Sequence, residues 1–225
     1  MQRQVTSIAK RSRWTRRKQA RPSEILDAAV AAFAEKGFAA TRMDDIARRA
    51  GVTKGTIYLY FESKEEVFKS LVRDSIGKTI VTTSADARGF EGPTPDLIRL
   101  VLRAIANLLA TSDRIVLPKI IIAEAGNFPE LARFYRTEII ERGLGLLSSI
   151  VERGIARKEF RPLPAGHVAR LCIAPILFIM IWRTSFAQFD SVPYDFDGLV
   201  ETHIDILLKG LCADSAAASR HGGHS

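Results

Sequence analysis

Residues 41–61 read Thr41-Arg-Met-Asp-Asp-Ile-Ala-Arg-Arg-Ala-Gly-Val-Thr-Lys-Gly-Thr-Ile-Tyr-Leu-Tyr-Phe61, and the spacing predicts two short helices crossing near a right angle through a tight turn. Such a crossing needs a small residue where the backbones approach, a residue tolerant of positive φ in the turn, and apolar residues on the facing surfaces. Ala47 is the small residue, Gly51 supplies the turn, and Ile46, Ala50, Val52 and Ile57 supply the buried contacts. Thr53 stands where a hydroxyl caps the second helix. The expected exposed face carries Lys54, Gly55, Thr56, Tyr58 and Tyr60, which are donors or small groups with no acid among them. That composition suits a recognition helix in a major groove, where phosphate contacts fix register and a few side chains read base edges. On spacing alone an ordinary helical hairpin meets the same needs, its Ala and Gly serving packing and its tyrosines covering surface.

Outward from this stretch the pattern is helical almost throughout, and the expected fold class is all-α with about nine helices. Ile25, Ala29 and Phe33 recur every four residues between Pro22, at a first helical position, and Gly37, a stop signal. Thr41 followed by Asp44, and Ser63 followed by Glu66, have the spacing of helix starts in which side chains satisfy free backbone donors. Val67, Phe68, Leu71, Val72, Ser75 and Ile76 form one stripe, predicting a fourth helix to about Ile80. Residues 84–96 gather two Gly and two Pro and are expected to be a loop. Further helices are expected over 96–111, 113–126, 129–157, 165–189 and 195–211. Within the third of these, Gly143, Gly145 and Gly154 point to a kink or a close helix contact. The expected organisation is a basic flexible arm (1–21), a DNA-binding domain (22–68), a ligand-binding and dimerisation domain (69–212) and a disordered tail (213–225).

The charge is unevenly placed. Arg3, Lys10, Arg11, Arg13, Arg16, Arg17, Lys18 and Arg21 lie in a stretch without acids and account for the whole net charge of +8. A cationic segment joined to a neutral body suits a polyanion, since it can follow phosphates and release counterions; a solvated tail has the same composition. The first 30 residues contain no apolar stretch of signal-peptide length, and the run Leu171–Trp182 is shorter than the roughly 20 residues that span a bilayer, so it is expected to be a buried helix. Cys172 and Cys212 show no ligand spacing, which predicts a reduced, cytoplasmic protein without a structural metal, and Cys212 reads as a passive thiol.

Gly37-Phe-Ala-Ala-Thr-Arg-Met-Asp-Asp-Ile-Ala47, with Gly51-Val-Thr-Lys-Gly-Thr-Ile-Tyr-Leu-Tyr-Phe-Glu-Ser-Lys-Glu-Glu-Val-Phe68, resembles the DNA-binding signature of TetR/AcrR regulators over about residues 22–70. The resemblance implies that Thr41 and Arg42 meet phosphate at the entry to the second helix, that Lys54, Thr56, Tyr58 and Tyr60 contact an operator together with the helix start at Thr53 and Gly55, and that Lys64 holds another phosphate. Leu59 departs from the family's usual His, Tyr or Trp; an apolar side chain there suits a thymine methyl. Residues 121–135 resemble a segment of AcrR/AefR-like regulators. That resemblance implies a ligand pocket in the C-terminal domain, a small hydrophobic effector, and a homodimer through residues 165–189 and 195–211.

Phe68, Val72, Ile105, Leu109, Phe134, Phe178 and Trp182 are the candidates for lining that pocket, each with simple core as its alternative. Glu124, Asn107 and Arg183 are polar residues among apolar neighbours, suited either to orient a ligand or to be satisfied internally. His167 and His203 have no partner at metal-ligand spacing. The chain is therefore expected to be a DNA-binding transcriptional regulator, a repressor released by its effector, without cofactor or membrane partner. Two other classes stay open. One is a ligand-independent architectural DNA-binder. The other is a helical enzyme, for which no nucleophile elbow, phosphate loop, paired carboxylates or metal constellation is found.

Overall fold

The computed structural model describes residues 3–111 and 115–212, with side chains described from Pro22 onward; the expected tail at 213–225 lies outside the described residues. Its helices are α1 (Arg3–Ala40), α2 (Met43–Arg49), α3 (Lys54–Tyr58), α4 (Lys64–Val72), α5 (Lys78–Gly89), α6 (Thr94–Thr111), α7 (Val116–Glu124), α8 (Pro129–Tyr135), α9 (Arg142–Ala156), α10 (Ala165–Ser185) and α11 (Phe196–Leu211). The chain stays helical from α4 into α5 through a π turn at Arg73–Gly77, and from α8 into α9 through another at Arg136–Glu141. Counted that way the described residues hold nine helices and no extended strand, the all-α class expected.

Two compact units result. Among the described residues, the first joins those up to Ser75 to residues 115–135, and the second holds 76–111 and 136–212. The sequence boundary at Phe68 gives α7 and α8 to the C-terminal domain, whereas by packing they belong with the first unit, where α7 lies on α1 and α8 on α4. The physical reason lies in their apolar faces: Leu117, Ile120 and Ile121 of α7 and Leu131 of α8 are all buried there.

In the first unit, the α1 stripe of Ile25, Ala29 and Phe33 is at most 1% exposed, and Ile46, Ile57, Val67 and Leu71 complete the core. Phe33, Phe38 and Phe68 interlock, with ring centroids 5.3–6.3 Å apart, a separation at which edge-to-face geometry adds to burial. Gly37 has φ 74° and breaks the helical dihedrals inside α1, as its sequence position foretells. Upstream, α1 takes in the backbone of residues 3–21, and Pro22 inside it fixes a helix-compatible φ and forgoes one N–H.

The second unit is built on α9 and α10, with α6 packed against α9, α10 and α11, and α5 against α6 and α9. Ile98, Leu102, Leu147, Ala169, Cys172, Ile176 and Ile204 form its centre. The loop expected over 84–96 shrinks to residues 90–93. Both prolines sit where α6 begins, and the Pro93 carbonyl accepts from the Asp96 and Leu97 N–H groups, so they start a helix at positions whose own N–H would be unpaired. Of the three glycines in α9, only Gly154 is forced by packing: a Cβ there would run into the Phe160 ring, while Gly143 and Gly145 face open space. At its far end α10 stops at Ser185, short of the expected Phe189, and a 3-10 turn at Ala187–Phe189 follows.

Candidate nucleic-acid interface

Gly51 takes φ 65° in the turn between α2 and α3, a conformation that costs side-chain-bearing residues steric energy and glycine none. The chain then enters α3 through Thr53, whose Oγ1 accepts from the Thr56 N–H at 3.2 Å. Ile57, 0% exposed, anchors α3 to the core. This places the opposite side of α3 outward: Thr53, Lys54, Gly55, Tyr58 and Leu59 are exposed, Thr56 and Tyr60 half-buried. Leu59 is 82% exposed, an isolated apolar group among donors.

Lys54 donates to Asp44 of α2 at 3.1 Å, an exposed ion pair of the kind that contributes about 0–1 kcal/mol. Gly55 has open space where a Cβ would stand, so the protein's own packing does not require a glycine there.

Arg42 is exposed at the entry to α2, and it, not Thr41, is the residue preceding the first helical position. Its N–H donates to the Asp45 carboxylate at 3.0 Å. Asp45 is held below the usual carboxylate range by its hydrogen bond from Lys36 and then by this backbone donor. Thr41 departs from its expected phosphate contact. It is 1% exposed, and its hydroxyl donates to the Gly37 carbonyl at 2.6 Å and the Ala32 carbonyl at 3.2 Å, closing the end of α1 from inside.

Lys64, at the start of α4, has partners within the chain. Its ammonium donates to the carbonyls of Phe38, Ala39 and Thr41 at 2.8, 2.9 and 3.2 Å, which uses all three of its N–H donors. It lies 4.7 Å from the centroid of the Phe38 ring and 5.6 Å from that of Phe128. Lys64 therefore caps the end of α1, whose last carbonyls lack helical partners. At the start of α4 the Ser63 hydroxyl accepts from the Glu66 N–H as expected, while the Glu66 carboxylate turns to Lys69 at 2.8 Å.

The seven pocket candidates divide between the units. Phe68 and Val72 are 0% exposed in the first unit, where Phe68 is one of three interlocked rings. Phe134, also there, is flanked by Lys69 and Arg73. In the second unit Leu109 is buried and Ile105 half-buried, but Phe178 is 61% exposed on the outside of α10, where it forms a ladder with Trp182 and Phe186. Trp182 donates its indole N–H to Asp190 at 2.9 Å. An open cavity of about 380 Å³ between residues 190 and 202 is lined by Asp190, Tyr194, Asp195 and Leu199 among others, and by none of the seven. Glu124 accepts from Asn127 at 3.0 Å, Arg183 lies over the Phe196 ring, and His203 bonds the Cys172 carbonyl at 3.0 Å. Burial pushes the Cys172 thiol up to about 12, and burial with the neighbouring Glu159 also raises that of Cys212.

An all-helical chain that presents a donor-rich second helix of a helix-turn-helix on a rigid core defines a DNA-binding regulator. Residues 25–71 match the family model described as bacterial regulatory proteins of the tetR family, and residues 93–188 match that of the tetracyclin repressor-like C-terminal domain. The chain belongs to the TetR family of transcriptional regulators. It is 28% identical to the fatty acid metabolism regulator protein of Bacillus subtilis (strain 168), over 86% of this chain and 98% of that one. To the repressor KstR2 of Rhodococcus jostii (strain RHA1) it is 40% identical, over 32% of this chain and 38% of that one. Among solved structures, FadR from Bacillus subtilis in complex with stearoyl-CoA superposes with a TM-score of 0.67 at 26% identity, covering 84% of this chain and 98% of that one.

Proposed function

We propose that the protein is a homodimeric repressor whose two copies of α3 enter successive major grooves of a pseudo-palindromic operator, about 34–36 Å apart. The observation that carries this reading is the outward face of α3: Lys54, Thr56, Tyr58 and Tyr60 supply donors on a helix fixed from behind by the fully buried Ile57. Arg42 adds a phosphate contact beside it, and the basic stretch 1–21 a further counterion-releasing segment. Replacing Tyr58 with Ala is expected to weaken operator binding by about 10- to 100-fold, the effect of removing one base or phosphate interaction from each half-site. Because Tyr58 is 45% exposed, the dimer and its melting temperature should stay unchanged. Unaltered affinity in a gel-shift titration would remove α3 from the interface.

The effector is proposed to be a lipophilic acyl thioester, on the support of the Bacillus subtilis FadR relative with bound stearoyl-CoA. It releases DNA only through its differential affinity for two shapes of the dimer, and a coupling of about 1–3 kcal/mol corresponds to a 5- to 150-fold loss of operator affinity. A long-chain acyl-CoA added to the complex is expected to give a loss in that range, and acetyl-CoA none. Equal release by both, or by neither, would overturn this choice of effector and leave DNA binding standing.

A further inference from the structure

The α7–α8 turn carries Phe128, distant in sequence from the helix-turn-helix yet part of the same compact unit. Its ring meets that of Phe38 edge-on, centroids 5.0 Å apart and planes at 89°. On the other side it faces the Lys64 ammonium at 5.6 Å. The turn that presents it is itself pinned, since the Phe128 N–H donates to the Glu124 carbonyl at 2.9 Å and the Phe128 carbonyl accepts from Leu131 at 3.1 Å. Lys64 in turn holds the carbonyls of Phe38, Ala39 and Thr41. The next residue along is Arg42, the exposed cation at the entry to α2.

Resting on the DNA-binding reading above, we infer that Phe128 is a positioning residue for operator binding: its ring holds the Lys64 ammonium on the end of α1, and so sets where Arg42 stands against the DNA backbone. The chemistry argues for a charge-to-ring contact and not merely apolar packing. An ammonium with three carbonyl partners has no further hydrogen bond to give, and what remains to hold it is the attraction of two ring faces, strengthened where water is partly excluded. Leucine in place of Phe128 keeps most of the apolar contact and removes the face. Tyrosine keeps the face.

The test uses the full-length dimer and an operator fragment selected with it from random DNA. Phe128→Leu should weaken operator binding about tenfold, since both protomers are affected, and should flatten the dependence of log affinity on log salt by about 0.9 for each phosphate no longer engaged. Phe128→Tyr should restore both. Combined with Arg42→Ala, Phe128→Leu should cost nothing more, because both changes act on one interaction. A variant that was only less stable would lose active protein without moving the salt slope, and it would be as harmful beside Arg42→Ala as alone; either result overturns the inference. If Phe128→Leu gives no dimer, Lys64→Met removes the charge from the other side and must show the same slope change and the same dependence on Arg42. Failure of the wild-type chain to enrich any sequence would instead sink the DNA-binding reading, and this inference with it.

Discussion

Replacing Phe68 with alanine is expected to destabilise the first unit by about 3–5 kcal/mol, the cost of removing a buried phenyl ring and leaving a cavity. The ring is 0% exposed and stands 5.6 Å from that of Phe38 and 6.3 Å from that of Phe33, so its loss strips partners from both. Those partners belong to α1, whose end also positions the entry to α2, and they are too constrained by their own packing to fill the void. In a chain of this size the midpoint of thermal unfolding should fall by about 6–20 °C, whereas Phe68→Leu, which conserves most of the volume, should cost about 1–1.5 kcal/mol. Scanning calorimetry of the two variants beside the wild type decides it. Should Phe68→Ala melt normally and alter only the response to effector, Phe68 would be pocket lining after all, the role its place in the sequence pattern also allows.

That double meaning of Phe68 marks the limit of what the sequence discloses. The helix-turn-helix is legible because each of its requirements is local: a positive φ at Gly51, a small side chain at Ala47, a hydroxyl at Thr53 one residue before α3. Residues within a turn or two of one another decide such features, and the chain order displays them directly. The partners of Thr41 and Lys64 are hidden because they are not local. The hydroxyl of Thr41 reaches back to Ala32, and the ammonium of Lys64 reaches carbonyls 23 to 26 residues earlier.

The membership of α7 and α8 is hidden for a similar reason. Apolar periodicity says that a face will be buried without saying against what, and their faces go to α1 and α4. Over 84–96 two prolines have the look of breakers, yet a proline at the first position of a helix starts one. The contact of Phe128 with Lys64 leaves no signal in the sequence, since nothing short of a fold brings the two together.

The same ambiguity surrounds the outer surface of the second unit, and there an experiment has the largest expected effect. Along α10, Leu171 and Phe178 are 62% and 61% exposed, seven residues apart and hence on one side of the helix; along α11, Leu199 and Ile206 are 42% and 65% exposed with the same spacing. Leu208, Ile204 and Val200 occupy the buried side of α11, so these two helices already have their intramolecular partners and still present an apolar stripe each. α10 is also the one described helix long and apolar enough to cross a membrane, with mean hydropathy 1.8, while only a third of its apolar window is buried in the chain. A second copy is the occupant that the proposed repressor requires, because an isologous pair of such faces covers all four residues on both protomers at once. Changing Phe178 and Ile206 together to Glu forfeits about 1.5–3 kcal/mol of apolar burial at each of four positions, and would force four carboxylates out of water. The dimer dissociation constant should rise at least a thousandfold, which corresponds to about 4 kcal/mol, and sedimentation at micromolar concentration should find monomers. Operator affinity should collapse with it, since a monomer engages one half-site and loses the effective concentration that the second one supplies. Helical content should persist, because neither residue belongs to the core. A double variant that stayed dimeric would move the pairing surface elsewhere and leave the apolar stripes of α10 and α11 to another partner.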